Sequence, residues 1–117
     1  QAGQLELRGS SVVYFDGETA EIKQEGRAVL GAHARFLANN PGQNVRIEGH
    51  ADERGTKEYN LALGERRAMT VRRFLMANGA AAEQLEVVSF GEERPAVMGH
   101  NETSYAKNRR VEVKYQR

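Results

Sequence analysis

The strongest constraint on the fold is the alternation of apolar and charged residues in two β-rich segments. In residues 109–115, Val111, Val113 and Tyr115 alternate with charged residues, and residues 45–49 alternate in the same way. Successive side chains of a strand point to opposite faces of its sheet. Each strand therefore has one apolar and one charged face, whereas a parallel sheet covered on both faces would show continuous apolar runs. We predict an α+β fold, a two-layer sandwich with helices on one face of a mixed sheet and water on the other.

The rest of the chain supplies the other elements of such a sandwich. Strands are predicted at residues 11–15, 45–49, 85–90 and 109–115, and a helix at residues 22–39. A second helix follows Gly55 and Thr56 and stops at Asn78 and Gly79. Residues 92–105 are expected to form a long loop with at most a short helical piece. We expect residues 1–10 to be loosely ordered and residues 11–117 to form one domain.

Composition excludes several functional classes. The 117 residues include 17 Lys and Arg against 16 Asp and Glu, so there is no large positive field to attract nucleic acid. The chain has no cysteine, which excludes disulfides and thiolate chemistry. It also has no apolar run of the roughly 20 residues that a membrane helix needs. Because it begins with Gln1 instead of Met, we expect that any targeting or anchoring segment lies outside this sequence.

Arg67 breaks an otherwise apolar helix face. Leu63, Arg67, Val71 and Phe74 recur at spacings of three and four residues and therefore share one side of the second helix. A guanidinium in an apolar environment is costly unless it meets an acceptor. Two alternatives follow, because the guanidinium either pairs within the protein or receives an anionic ligand.

Asp52 and Asn60 are the candidate partners of this arginine. Asp52 lies in the turn before the second helix, and Asn60 lies one turn into it, seven residues before Arg67 on the same face. A carboxylate suits an ammonium group, and a guanidinium suits a carboxylate through two parallel hydrogen bonds. The three side chains could hold the two charged ends of an amino-acid zwitterion. Equally, Asp52 and Arg67 could pair with each other or with backbone, and the residues alone leave both alternatives open.

Metal binding and catalysis have weaker support in the sequence. The histidines, His33, His50 and His100, show no HxH or HxxxH spacing, so no metal site is predicted. Asp52 and Glu53 are adjacent loop residues, which rarely act on one substrate bond, and no opposing acid is placed by the pattern. No cofactor is predicted either, and a hydrolase using Asp52 or Glu53 and a protein-interaction domain are kept as alternatives.

Four stretches resemble the OmpA-like peptidoglycan-binding domain. They are VYFD at residues 13–16, GHADERGTKEYNLALGERRA at residues 49–68, SFGEERP at residues 89–95 and NRRVEV at residues 108–113. The resemblance extends over nearly the whole chain, from Val12 to Tyr115. It implies a βαβαβ-type two-layer sandwich, in agreement with the strand patterning, and a domain that binds the diaminopimelate of the peptidoglycan stem peptide without catalysis.

The resemblance also implies roles for individual residues. Asp52 would take the ligand ammonium and Arg67 its carboxylate, while Asn60 and the loop backbone around Arg54 would line the site. Further contacts are implied in the first loop and in the last motif, and these correspond here to Asp16, Gly17 and Arg109. The first loop reads FDGE at residues 15–18 where many members have FDFD, which puts a second aromatic contact in doubt.

The cellular setting is implied by the resemblance alone. Related proteins are lipid-anchored at the periplasmic face of the outer membrane of Gram-negative bacteria, where they link that membrane to the cell wall. They work with a periplasmic Tol-system protein in envelope integrity and cell division. We expect the same partner and the same location for the full-length protein.

Overall fold

A four-stranded mixed sheet organises residues 11–116, which are the residues described by the computed structural model. The expectation for residues 1–10 lies outside this range. The strands are β1 (Val12–Tyr14), β2 (Asn44–His50), β3 (Leu85–Gly91) and β4 (Arg110–Gln116), in the sheet order β1-β4-β2-β3. β2 pairs parallel to β3 and antiparallel to β4, and β1 pairs antiparallel to β4. The predicted α+β class with a mixed sheet is confirmed.

Three α-helices accompany the sheet. They are α1 (Gln24–Asn39), α2 (Lys57–Ala77) and α3 (Glu102–Asn108), and a 3₁₀ turn (Ala82–Gln84) precedes β3. The second helix stops where the sequence predicted, and Gly79 adopts the positive φ of +116° that favours glycine after a helix end. The last strand begins one residue later than predicted because α3 continues to Asn108. None of the helices within residues 11–116 is long and apolar enough to cross a membrane.

The core lies between the sheet and the two long helices. Val45 and Ile47 of β2 are buried together with Val111 and Val113 of β4, as their alternation predicted. The helices contribute the facing side chains, chiefly Leu30, Leu37, Val71 and Leu75. At about 25 cal/mol per Å² of buried apolar surface, a core of this kind supplies the main driving force for folding.

The opposite face of the sheet is less open to water than predicted. Glu48, His50 and Arg110 are all buried, although the alternation assigned them to a solvated face. The reason is that long charged side chains lie over one another, both along each strand and between strands, where Lys114 of β4 contacts Glu48 of β2 at 3.5 Å. Arg46 pairs with Glu48 at 3.0 Å, and Arg110 pairs with Glu112 at 2.6 Å. Ion pairs therefore cover this face.

Two glycines bring α2 close to the sheet. A Cβ atom placed on Gly49 of β2 would lie 1.8 Å from the carbonyl oxygen of Gly64 in α2, so only hydrogen fits there. This close approach fixes the helix against the end of β2. It thereby sets the position of the loop that joins them.

Candidate ligand-binding site

The loop between β2 and α2 places Asp52 at the end of a strand and beside a helix N-terminus. A carboxylate oxygen of Asp52, Oδ1, accepts the backbone N–H of Arg54 at 2.9 Å and closes a tight turn. Gly55 then adopts a φ of +97°, and the chain reverses into Thr56. The hydroxyl of Thr56 caps α2 by accepting the N–H of Tyr59 at 3.0 Å. The carboxylate is therefore held by local turn and cap chemistry.

The Asp52 carboxylate is surrounded by donors. Arg54 donates Nε to Oδ1 at 3.1 Å and Nη2 to Oδ2 at 2.8 Å, and Arg109 donates Nη1 to Oδ2 at 3.3 Å. Burial alone would raise the pKa of Asp52, but the hydrogen bonds from Arg54 and Arg109 outweigh it and lower the pKa below its usual value. The group is therefore ionised at neutral pH. With the backbone N–H included, four donors fill the roughly four acceptor positions of the carboxylate.

Arg109 ties three parts of the fold to this carboxylate. Its side chain is buried, and Nε donates to the carbonyl of Phe15 at 3.0 Å at the end of β1. Nη2 donates to Glu102, in the first turn of α3, at 2.8 Å. Hydrogen bonds to Phe15 and Glu102 thus fix the Arg109 guanidinium in contact with Asp52.

The Arg67 guanidinium is enclosed by the protein. Its side chain is 0% exposed. Nε donates to the carbonyl of Thr19 at 2.7 Å, Nη1 to that of His50 at 3.0 Å, and Nη2 to that of Gly17 at 2.8 Å. Burial, and then the nearby charge of Arg109, lowers the pKa of Arg67 to about 10, so it remains charged at neutral pH. Of the two alternatives open in the sequence, the structure has internal pairing with backbone.

Asn60, in the first turns of α2, supports the loop that joins β2 to α2. Its side-chain amide donates to the carbonyl of Arg54 at 3.0 Å and to the Glu92 carboxylate at 2.7 Å. Asp16, in contrast, is exposed and pairs with Lys23 at 3.1 Å. Asn60 therefore supports the loop around Arg54, as expected for a lining residue, whereas Asp16 points to solvent.

A cleft of about 160 Å³ opens beside Asp52. Four of the residues predicted for the site line it, and they are Gly17, Asp52, Arg54 and Asn60. Arg67 and Arg109 do not line it but hydrogen-bond to two residues that do, Gly17 and Asp52. Sequence reasoning missed three further lining side chains of some size, Glu18, Tyr59 and Leu63. The Tyr59 hydroxyl donates to Glu18 at 2.9 Å across the cleft, a contact between residues 41 apart that no local pattern announces.

Glu53 points away from this cleft. Its carboxylate accepts from the Tyr105 hydroxyl at 3.0 Å and also contacts His100. Asp52 and Glu53 therefore face different partners, and the arrangement required for a pair of carboxylates acting on one bond is not formed between them. The hydrolase alternative has no support in this geometry.

Comparison with known proteins gives consistent matches. The model of the OmpA family matches residues 14–109. A peptidoglycan-associated lipoprotein of Pseudomonas aeruginosa is 51% identical over 108 residues, which are 92% of this chain and 64% of the relative. The corresponding protein of Pasteurella multocida is 50% identical over 105 residues, covering 90% of this chain and 70% of the relative. The chain thus spans just under two thirds of the length of the Pseudomonas relative.

Solved structures agree with these matches. The crystal structure of the peptidoglycan-associated lipoprotein from Burkholderia pseudomallei has a TM-score of 0.91 at 44% identity, covering 94% of this chain and 93% of that one. The C-terminal domain of Helicobacter pylori MotB has a TM-score of 0.83 at 21% identity, covering 91% and 84%. The second likeness concerns the fold alone.

Proposed function

Because the chain belongs to the OmpA family, we propose that it is the wall-binding domain of a peptidoglycan-associated lipoprotein, and that it binds the diaminopimelate of the stem peptide without catalysis. The observation that carries this proposal is the ionised Asp52 carboxylate at the wall of a small polar cleft. The relatives at about 50% identity are peptidoglycan-associated lipoproteins, and this supports both the wall association and the lipid anchor. In this proposal the full-length protein lies at the periplasmic face of the outer membrane and links it to the wall.

Asp52 is the proposed receptor for the ligand ammonium. An ammonium group has three donors and needs acceptors, and a buried carboxylate is a strong one. Since four donors already fill the carboxylate, the ligand must replace one of them. The Arg54 side chain is the donor that can leave, because it is 52% exposed, whereas Arg109 is buried. Binding is therefore an exchange of one cation for another at Asp52.

Arg67 is the proposed receptor for the ligand carboxylate, and this role requires a movement of the first loop. Two of its three hydrogen bonds go to the carbonyls of Gly17 and Thr19, in the loop that carries the exposed Asp16. A displacement of this loop would free Nε and Nη2, whose N–H groups form one edge of the guanidinium and can bind a carboxylate in parallel. His50 would retain its bond to Nη1 and hold the side chain in place.

The affinity for one stem peptide should be modest. A hydrogen bond to a charged group contributes about 1.5–3 kcal/mol net, and here each new contact replaces an existing one. The wall is a polymer with many identical sites, and a lipid anchor would hold the domain near it. The high effective concentration offsets a weak single site. A periplasmic Tol-system partner, implied by the sequence resemblance, completes this proposal for the whole protein.

Co-sedimentation with insoluble wall sacculi tests the proposed ligand. The protein should pellet with sacculi that contain diaminopimelate and should stay in solution with sacculi that contain lysine at that position. The comparison isolates one group, because lysine lacks the second carboxylate of diaminopimelate at the end of its side chain. Equal pelleting with both would exclude recognition of the zwitterion.

A protein-interaction domain remains the second candidate, because each of the three guanidinium nitrogens of Arg67 already donates to a backbone carbonyl. In that case Asp52 and Arg67 serve only the fold, and Asp52→Asn would bind sacculi as well as the original protein does. A folded Asp52→Asn variant that fails to pellet would exclude this candidate.

A further inference from the structure

Three potential metal ligands meet on the sheet face opposite the helices. Glu48 and His50 lie two residues apart on β2, and Glu112 of β4 is directly opposite Glu48 in the antiparallel register. One ligand atom from each residue lies within 4.8 Å of those of the other two. Carboxylate oxygens and imidazole nitrogens are both ligands of zinc-type ions.

His50 gives this cluster a second, independent indication of a ligand. The residue is 2% exposed, and neither of its ring nitrogens has a hydrogen-bond partner among residues 11–116. A buried polar group without a partner is uncommon and calls for a bound water or ion. Its ring stacks on Phe90 at 5.6 Å, which fixes the plane of the imidazole beside the two carboxylates.

A cation already occupies the centre between the carboxylates. The Lys114 ammonium lies 3.5 Å from Oε1 of Glu48 and 3.3 Å from Oε1 of Glu112. The other oxygen of each carboxylate is held by an arginine, Arg46 for Glu48 and Arg110 for Glu112. The two Oε1 atoms therefore converge on one position, which the half-exposed lysine occupies.

We propose that Glu48, His50 and Glu112 bind a zinc-type divalent cation, which replaces the Lys114 ammonium. The ion would take Oε1 from each carboxylate and one ring nitrogen of His50, with water completing four-coordination. A neutral imidazole has one ring nitrogen with a free lone pair, and neither ring nitrogen of His50 has a hydrogen-bond partner among residues 11–116. Arg46 and Arg110 would orient the carboxylates from behind.

The geometry requires a small contraction and the release of one side chain. Ligand atoms around tetrahedral zinc lie about 3.3 Å apart, given bond lengths near 2.0–2.1 Å, compared with the limit of 4.8 Å here. Rotation of the glutamate side chains can close this gap. Lys114 is the main competitor of the ion, because its ammonium lies between the two carboxylates. Removal of Lys114 should therefore strengthen binding, although Arg46 and Arg110 still repel the ion.

Calorimetric titration of the tag-free chain with Zn²⁺ at pH 7.5 tests the site. We expect one saturable site per chain, weakened about tenfold or more in His50→Leu and in Glu112→Gln. Lys114→Gln should tighten it. Glu112→Gln keeps the test valid if His50→Leu does not fold, because Glu112 is less buried than His50.

His100→Ala is the matched control. His100 and Glu53 form a histidine–carboxylate contact elsewhere in the fold, at the surface. Binding that is unchanged in His100→Ala and weakened in His50→Leu supports the proposal. The proposal is overturned if Zn²⁺ shows no saturable binding, or if His100→Ala abolishes binding while the variants at His50 and Glu112 retain it. None of these outcomes depends on binding to the cell wall.

Discussion

The Arg54 guanidinium forms a two-pronged ion pair with Asp52, two residues before it, through contacts of 3.1 and 2.8 Å. The same guanidinium lies over the ring of Tyr105 at 4.5 Å. It occupies the side of the carboxylate that borders the cleft. An internal cation thus lies where the ligand ammonium is proposed to bind.

Removal of this internal competitor should improve binding. Because the Arg54 side chain is half-exposed, we take the range of about 0.2–1 kcal/mol that is typical of surface ion pairs, so Arg54→Ala should raise the affinity for a diaminopimelate stem peptide about 1.4- to fivefold. Arg73→Ala removes an exposed arginine near the other end of α2 and should leave the affinity unchanged. Isothermal titration of both variants checks this. A weaker Arg54→Ala variant would mean that this side chain contacts the ligand instead of competing with it.

Arg67 should be essential for stability and not replaceable by lysine. A lysine ammonium cannot reach the three carbonyls that the planar guanidinium serves, and buried acceptors would lose their donors. We expect Arg67→Lys to lower the free energy of unfolding by about 2–4 kcal/mol in urea. Arg66→Lys, the exposed neighbour, should change it by less than about 0.5 kcal/mol. Equal stability of the two variants would contradict this arrangement.

Gly49 should tolerate no side chain. A Cβ atom there would meet the backbone of Gly64 at 1.8 Å, and a backbone atom cannot rotate away. Gly49→Ala should therefore cost at least about 3 kcal/mol or prevent folding. Gly42→Ala is the control, because a Cβ atom at Gly42 meets nothing within 4 Å. Thermal unfolding followed by circular dichroism distinguishes them, and similar melting temperatures would refute the close approach of α2 to β2.

The lowered pKa of Asp52 predicts a specific acid response. Hydrogen bonds from Arg54 and Arg109 stabilise the ionised form in the folded state. This contribution to stability is fully present above the ordinary pKa of 3.8 and is lost as the pH falls through the lower folded-state pKa. The stability difference between the original protein and Asp52→Asn should be constant from pH 7 to 5 and shrink below pH 4. A difference that already shrinks between pH 6 and 5 would contradict the lowered pKa.

Local sequence patterns predicted the strands and the long helices because such patterns depend on which side chains are buried. The alternation of Val111 and Val113 with charged residues identified the buried face of β4, and Asn78 with Gly79 marked the end of α2. The same alternation did not reveal that Glu48 is only 3% exposed. Its ion-pair partners Arg46 and Lys114, which lie on the same face of the sheet, cover its carboxylate.

The partners of Arg67 could not be predicted from side-chain patterns. Its acceptors are backbone carbonyls, which every residue has, and two of them are 48 and 50 residues away in the chain. The cluster of Glu48, His50 and Glu112 was missed for a related reason. Histidine spacing detects ligands on one element, whereas Glu112 is brought to Glu48 by the pairing of β2 with β4.

The most direct test of diaminopimelate recognition is a calorimetric titration with two soluble stem peptides, one with diaminopimelate and one with lysine at the same position. Both peptides are titrated into the original protein and into Asp52→Asn. If Asp52 receives the diaminopimelate ammonium, the original protein binds the diaminopimelate peptide saturably. We also expect at least tenfold weaker binding of the lysine peptide, and loss of binding in a folded Asp52→Asn variant. Equal affinity for the two peptides, or undiminished binding by Asp52→Asn, would contradict diaminopimelate recognition through Asp52.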